Sequence, residues 1–276
     1  MGSSGLYDDP LVYDVLHAPG TAREVDGFER IEHAFAPRGP ARRWLEPACG
    51  TGRYLRLAAS RGIDVVGFDL SGAMVEFARS RASEPGAPGR AGARAGKTDL
   101  FVADMTDFAR HVERGSISFA FNPINTIRHL RSDDAMIEHL RGTARVLAPA
   151  GVYVVGLHLT LYGGESPSED VWVGERGRLR VTQLVQYLPP KSPGNASARS
   201  ELVISQLFIE RGREREDRAG RYRLRCYSLR QWERVVRMSG LEILASVDEQ
   251  GRASEACDGA YAIFVLGRAP NRTRSA

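Results

Sequence analysis

Three carboxylates and one glycine-bearing turn are the residues of this sequence best suited to holding a small cationic ligand. The segment Glu46-Pro47-Ala48-Cys49-Gly50-Thr51-Gly52-Arg53 sets an acid four residues ahead of a Gly-x-Gly turn, and the chain then enters a helix. Such a turn lets the backbone approach a ligand closely, because no Cβ intervenes. A pyrophosphate site normally adds a third glycine three residues on, where the helix N-terminus receives the phosphates. Here Leu55 occupies that position. An acid beside the turn is unfavourable next to phosphate and favourable next to a cation. The turn is therefore expected to receive a cationic, phosphate-free ligand. Cys49 is read as a small packed residue beneath it, and Arg53 either as a ligand contact or as a surface charge.

Two further acids follow in order. Val65-Val66-Gly67-Phe68-Asp69 places Asp69 nineteen residues after Gly50, where a carboxylate at a strand tip can accept both hydroxyl hydrogens of a ribose. Phe101-Val102-Ala103-Asp104-Met105 places Asp104 where it can accept from the exocyclic amine of adenine, with Met105 and either Leu70 or Met74 against the ring. The plainer readings are a helix cap for Glu46, the N-cap of the helix beginning near Ser71 for Asp69, and a turn for Asp104. His129 and His158 are candidates for orienting or deprotonating an acceptor, since an unperturbed imidazole titrates near ~6.5. Tyr162 and Trp172 are candidates for walling a pocket. Each of these four also has a reading as packing.

The elements that must position these groups alternate. From Trp44 to about Leu161, short apolar runs at Arg43–Glu46, Asp64–Asp69, Leu100–Asp104, Ser116–Phe121 and Gly151–His158 alternate with helical stretches, the βα rhythm of a mostly parallel sheet. The spacing predicts a helix from Asp133 to Val146, stopped by Pro149 and Gly151. Residues 84–96 are rich in Pro, Gly, Ala and Arg and read as a mobile loop. From 171 to 227 the pattern changes to period two, in runs starting at Leu179, Leu202 and Tyr222, which predicts a three-stranded antiparallel insert. A helix at Leu229–Met238 and strands at Leu241–Val247 and Ala260–Gly267 complete a seven-stranded α/β sheet with helices on both faces. The expected organisation is a helical lid over 1–40, a ligand-binding domain over 41–170 and 228–268, and the insert over 171–227.

Bulk properties narrow the classes. The 276 residues are 42% hydrophobic and 26% charged, ordinary for a globular chain. No apolar run approaches the roughly 18–20 residues that span a bilayer, and the first residues lack a signal-peptide pattern. Cys49, Cys226 and Cys257 show no metal-ligand spacing, and a reduced cytoplasmic setting is expected. The net charge of +4 invites a nucleic-acid partner, but all but two of the 38 basic residues are arginine, and acids interleave with the basic run from Arg211 to Arg237. A solvated, ion-paired surface is the expectation there.

Taken together, the E-x-x-x-G-x-G segment, Asp69 in GFDLSGAMVEFAR and Asp104 resemble the successive motifs of the class I, Rossmann-like S-adenosylmethionine-dependent methyltransferases over residues 40–160. The resemblance implies S-adenosyl-L-methionine as cofactor, held by Glu46, Ala48, Gly50, Thr51, Gly52, Arg53, Asp69, Leu70, Met74, Asp104, Met105 and Asn122. After Asn122-Pro123 the chain has Ile124-Asn125, not the Pro-aromatic pair common in enzymes that methylate nucleobase amines or protein glutamine. The stretch ending in His129-Leu130 instead resembles small-molecule N-methyltransferases of the amino-sugar and glycine type, which implies His129 as the acceptor-facing residue. Leu11-Val12-Tyr13-Asp14-Val15-Leu16-His17 resembles the lid helix of that group, with Tyr13 as its contact. The insert is then a substrate cover or a homodimer contact. An RNA or protein methyltransferase, and a non-catalytic cofactor-binding protein, are the alternatives.

Overall fold

The computed structural model describes residues 5–36, 42–83, 95–194 and 198–270. Most of the loop expected at 84–96 lies outside the described residues. So do the first four residues, and 37–41 at the junction of lid and domain.

Strands β1 (Arg43–Pro47), β2 (Asp64–Asp69), β3 (Thr98–Val102), β4 (Ile117–Asn122) and β5 (Leu147–His158) run parallel. They are interleaved with helices α3 (Arg53–Ser60), α4 (Gly72–Ala82) and α5 (Asp133–Val146). Helix α6 (Leu229–Ser239) leads to β10 (Leu241–Val247) and β11 (Tyr261–Arg268), and β11 enters antiparallel beside β5. The seven-stranded order is β10-β11-β5-β4-β1-β2-β3. Order reverses at β1, between β4 and β2, and open α/β sheets bind ligands beyond the strand ends at such a switch point.

The central strands are apolar on both faces because both are covered. Trp44, Val65, Phe119, Phe121 and Val154 face α2 (Thr21–Phe35) and α3, while Leu45, Val66, Phe68, Tyr153 and Val155 face α5 and α6. Full burial of each such side chain contributes about 1.5–3 kcal/mol, so the strand tips sit on a rigid base. Helix ends are capped as their sequences suggest: Ser71, Ser132 and Ser228 each accept a backbone N–H of the first turn. Ser71, not Asp69, is thus the N-cap of α4.

Two expectations about elements need correction. Helix α5 does end at Val146, but β5 begins at once, so Pro149 and Gly151 lie in its irregular lead-in, where pairing slips from Ile117↔Leu147 to Phe119↔Val152. The insert has four strands rather than three: β6 (Ser168–Arg176), β7 (Leu179–Leu188), β8 (Ser200–Arg211) and β9 (Glu214–Arg225), in consecutive antiparallel order. Strand β6 escapes the alternation pattern because its apolar Val171 and Val173 are exposed while Gly174 faces inward.

That glycine lets the N-terminal helix dock. Helix α1 (Pro10–His17) lies against β6 and β7, and a Cβ at Gly174 would collide with the Val15 carbonyl oxygen. Leu6, Val12, Val15 and Leu16 form a cluster with Leu179, Val181, Leu207 and Ile209, separate from the two clusters of the main sheet. Fully buried Asp14 of α1 accepts from Arg56 of α3 at 2.8 Å and from Arg176 of β6 at 2.7 Å, which ties lid, insert and main domain together.

Candidate active site

Two neighbouring cavities open at the carboxyl ends of β1, β2 and β4. The first runs over the Gly50 turn and the tips of β2 and β3, and is lined by Asp69, Leu70, Met74, Asp104 and Met105. The second runs under the lid and the second sheet. Glu46, Cys49, Arg53 and Asn122 line its floor, and Trp172, Gln183, Tyr187 and Tyr222 its roof. Tyr7, Tyr13, Ala48, Thr126 and His129 belong to both.

The turn between β1 and α3 is held in left-handed backbone at Ala48 (φ 52°), Gly50 (φ 52°) and Gly52 (φ 66°). A Cβ on Gly50 would stand 3.1 Å from Tyr13 Cε1, so this glycine admits the lid tyrosine as well as the turn. Asp69 braces the turn: its Oδ2 accepts from the Gly50 N–H at 2.8 Å and its Oδ1 from the Ser71 N–H at 2.9 Å. Burial raises the Asp69 carboxyl, and these backbone donors partly offset the rise. Asp104 accepts from the Thr106 N–H and hydroxyl through Oδ1, which leaves Oδ2 for a ligand. Leu70 is 70% exposed at the cleft edge and Met74 buried at its base, an arrangement suited to gripping a flat ring.

Glu46 is 6% exposed, and its Oε2 has no hydrogen-bond partner. Burial drives its carboxyl well above the ordinary range, opposed by the guanidinium of Arg53. A buried, unpartnered carboxylate oxygen facing a cavity is costly, and an ammonium ligand would satisfy it. Arg53 is not a surface charge: its side chain is 10% exposed and bonded to Glu24 at 2.6 Å, Thr21 at 2.8 Å and the Tyr54 hydroxyl. Asn122 donates from Nδ2 to the Pro47 carbonyl at 2.8 Å, and its Oδ1 is free. Burial pushes the Cys49 thiol up, which makes it packing rather than a nucleophile. The donor set fits S-adenosylmethionine. Glu46 and Arg53 match an amino acid's two charges, Asp69 a ribose, and Asp104 with Leu70, Met74 and Met105 an adenine.

His129 stands where the cavities meet, at the end of a 3-10 turn, Thr126–His129. Its Nε2 is 3.3 Å from the Tyr7 hydroxyl and its ring stacks on Tyr222 at 5.4 Å. Burial, then the charges of Arg128 and Arg131, pull its pKa down to about 4, so the imidazole is neutral at physiological pH. The turn is stapled to the insert by buried Arg128, which donates to the Arg225 carbonyl at 2.8 Å and pairs with Glu201 at 2.9 Å. Ile124 and Asn125 before it have φ of 56° and 63°, unusual for a β-branched residue and costing about 1–3 kcal/mol. Tyr261 Oη accepts from the Ile124 N–H, and Asn125 Oδ1 from the His158 N–H, holding that conformation.

Several expected positions fall elsewhere. His158 lines neither cavity; its Nε2 lies 2.9 Å from Glu165 Oε1, because the strand tip turns its ring toward the following loop. Tyr162 is also outside, donating to the Cys226 carbonyl or the Gln231 side chain. Thr51 and Gly52 shape the turn without lining a cavity, with Thr51 fully buried and Gly52 against Ala78. Trp172 does line the second cavity. Sequence reasoning missed Tyr7, His17, Gln183, Tyr187 and Tyr222. Their signals were the place of His17 in the lid-helix pattern and the period-two spacing of the insert, which puts Gln183 and Tyr187 on one face of β7 and starts a run at Tyr222. Arg199 reaches Asp133 rather than a ligand. Arg211 and Arg218 pair with Asp9 and Glu216, and Arg215 with Glu210, as expected of an ion-paired surface. Among the described residues no helix is long and apolar enough to cross a membrane, and no cluster of potential metal ligands occurs.

Comparison with known proteins agrees with this geometry. Residues 45–151 match the family model described as a methyltransferase domain. A putative methyltransferase, YqeM, of Bacillus subtilis is 28% identical over 151 residues, 53% of each chain. The dTDP-4-amino-2,3,4,6-tetradeoxy-D-glucose N,N-dimethyltransferase of Saccharopolyspora spinosa is 28% identical over 160 residues, 55% of this chain and 56% of that one. The chain thus spans about half the length of the curated relatives it matches. The sugar N-methyltransferase KedS8 from Streptoalloteichus superposes with a TM-score of 0.67 at 20% identity, covering 98% of this chain and 94% of that one. Residues 45–151 of this chain form a methyltransferase domain, set within the Rossmann-like fold of the S-adenosylmethionine-dependent methyltransferases.

Proposed function

We propose that this chain transfers a methyl group from S-adenosylmethionine to an amine nitrogen of a small, sugar-like molecule. The observation that carries the reading is the junction of the two cavities at Tyr7, Tyr13, Ala48, Thr126 and His129, with Asp69 and Asp104 in one, and in the other Glu46 and Arg53 on the floor beneath an aromatic roof. The amino-sugar substrate class draws support from the names of the Saccharopolyspora and Streptoalloteichus proteins.

When bound, S-adenosylmethionine supplies an electrophilic methyl on a sulfonium. Glu46 would hold the ammonium and Arg53 the carboxylate of its amino-acid end, Asp69 the ribose and Asp104 the adenine. The chain's part is then alignment and water exclusion, which can supply most of the rate in such a displacement. Burial raises the Tyr7 and Tyr222 hydroxyls, so both stay protonated and can bond the acceptor. Neutral His129 can accept an N–H hydrogen bond and turn the nitrogen lone pair toward the methyl. With a pKa of about 4 it orients the amine more effectively than it stores its proton. Incubating the full chain with labelled S-adenosylmethionine and a panel of amino sugars, simple amines, phenols and RNA tests this. Labelled amino sugar is expected. Transfer confined to phenols or RNA would refute the reading.

A further inference from the structure

Among the described residues, the acceptor chamber has no free cation with which to hold an anionic substrate. Of the described residues lining it, Arg53 alone carries a permanent positive charge. Arg53 lies at the cofactor end, where the methyl-transfer reading gives it to the carboxylate of S-adenosylmethionine. His17 and His129 also line it, but burial pulls their pKa values down to about 3 and about 4, so both are neutral. Glu46, also on that wall, offers an anion no positive charge.

The insert's arginines do not make up for this. Strand alternation puts Gln183, Val185 and Tyr187 of β7, and Tyr222 and Leu224 of β9, on the chamber side. Arg180, Arg221 and Arg223 have the opposite parity and lie on the outer face, with no register slip between β7, β8 and β9 to change that. Arg199 and Arg225 are bound to Asp133, and Arg128 to Glu201. A diphosphate drawn into such a chamber would lose its hydration and gain no cation in exchange.

What the walls do offer is aromatic faces and neutral hydroxyls. Tyr7 lies 5.9 Å from Tyr13 and 6.1 Å from Tyr222, while His17 lies 4.4 Å from Tyr13 and 5.8 Å from Trp172, ring centre to ring centre. Such rings stack on the C–H faces of a saturated ring and attract an amine that carries a proton or methyl groups. The Tyr7, Tyr187 and Tyr222 hydroxyls and the Gln183 amide can bond sugar hydroxyls.

Building on the methyl-transfer reading above, we infer that the acceptor is a hydroxylated amine free of phosphate and carboxylate. It would be an amino sugar carried as a neutral glycoside or an aminocyclitol, not a nucleoside-diphosphate sugar. Sugar modification here would then follow the glycosyl-transfer class of reaction that releases the nucleotide.

The test uses the full chain, saturated with S-adenosylmethionine. The probes are amino-hexoses bearing the amine at each ring position, every one supplied both as its methyl glycoside and as its thymidine-diphosphate ester. The expected result is a kcat/KM at least about tenfold higher for a glycoside than for its diphosphate partner, with inorganic pyrophosphate failing to compete. Equal or better use of a diphosphate ester, or competitive inhibition by pyrophosphate, would overturn the inference. So would methylation of unhydroxylated amines in preference to every glycoside. Methylation of no amine at all would refute the underlying methyl-transfer reading, and the inference with it.

Discussion

Replacing Glu46 by Gln should move ligand affinity and protein stability in opposite directions. The amide keeps the volume of the side chain but removes the negative charge set against the ligand's ammonium. Truncating one partner of a buried charged pair costs about 2–5 kcal/mol, and since the amide retains a neutral acceptor, the lower end, about 2 kcal/mol, is expected. That corresponds to roughly thirtyfold weaker binding. In the free protein the same carboxyl is a burden: it is 6% exposed, its Oε2 is unpartnered and burial raises its pKa well above the ordinary value. A carboxyl whose folded pKa exceeds its unfolded value binds more protons in the native state. Stability is therefore intact below the unfolded pKa of about 4.3 and falls as pH climbs through the raised folded value. Each unit of that rise costs about 1.4 kcal/mol once both states are ionised, and 1 kcal/mol corresponds to roughly 2–4 °C in Tm for a domain of this size. Ligand-free Glu46→Gln should thus melt above the wild type at pH 8, with the difference vanishing near pH 4. Calorimetry with S-adenosylhomocysteine, which keeps the amino-acid end, and thermal unfolding without ligand read the two effects. Unchanged affinity, or a parallel loss of affinity and stability, would refute the assignment of Glu46.

Three other outcomes follow from the geometry. Gly50→Ala puts a Cβ 3.1 Å from Tyr13 Cε1 at a backbone φ of 52°; with about 1–2 kcal/mol of left-handed strain, binding of S-adenosylhomocysteine should weaken by about tenfold or more, and unaltered binding would show that Tyr13 does not pack on the turn. His129→Ala should lower kcat by roughly tenfold to a hundredfold while leaving cofactor affinity unchanged, and the wild-type rate should show no titration of an imidazole near pH 6.5 because His129 lies near 4. Half-buried His17 and His129 and fully buried His139 have folded pKa values of about 3, about 4 and about 4. These lie below the unfolded value, so the unfolded chain binds more protons in that window and stability, full above about pH 6.5, must fall as pH drops toward 4. In a Glu46→Gln background, which removes the opposing contribution of that carboxyl, a Tm that is flat between pH 7 and pH 4 would contradict this burial.

The donor side was legible because it is local. The turn from Glu46 to Arg53, and the acids at Asp69 and Asp104, each follow a strand at a fixed position, and a parallel sheet brings successive strand tips together whatever else the chain does. Arg53 and Glu46 could be named from this pattern, but their burial could not. The acceptor side was less legible because it is assembled from distant segments. Tyr7, His129 and Tyr222 meet only because the lid cluster around Val15 and Leu16 docks on β7 and β8, and because Arg128 reaches Glu201. Nothing in the spacing of those residues records either event. His158 and Tyr162 were plausible from their place at a strand tip, yet Glu165 and Gln231 lie closer and take their polar atoms. Strand β6 was missed for a simpler reason: its two valines, Val171 and Val173, face outward.

The cofactor cleft lies at the tips of β1 and β2. Titration of the full chain with S-adenosylmethionine, for the wild type and for an Asp69→Ala variant shown by circular dichroism to be folded, tests it most directly. Asp69 would contribute charge-assisted hydrogen bonds to the ribose worth about 1.5–3 kcal/mol each, so the account predicts one-to-one binding by the wild type and at least about tenfold weaker binding by the variant. Failure of the folded wild type to bind, or equal affinity in the two proteins, would contradict it.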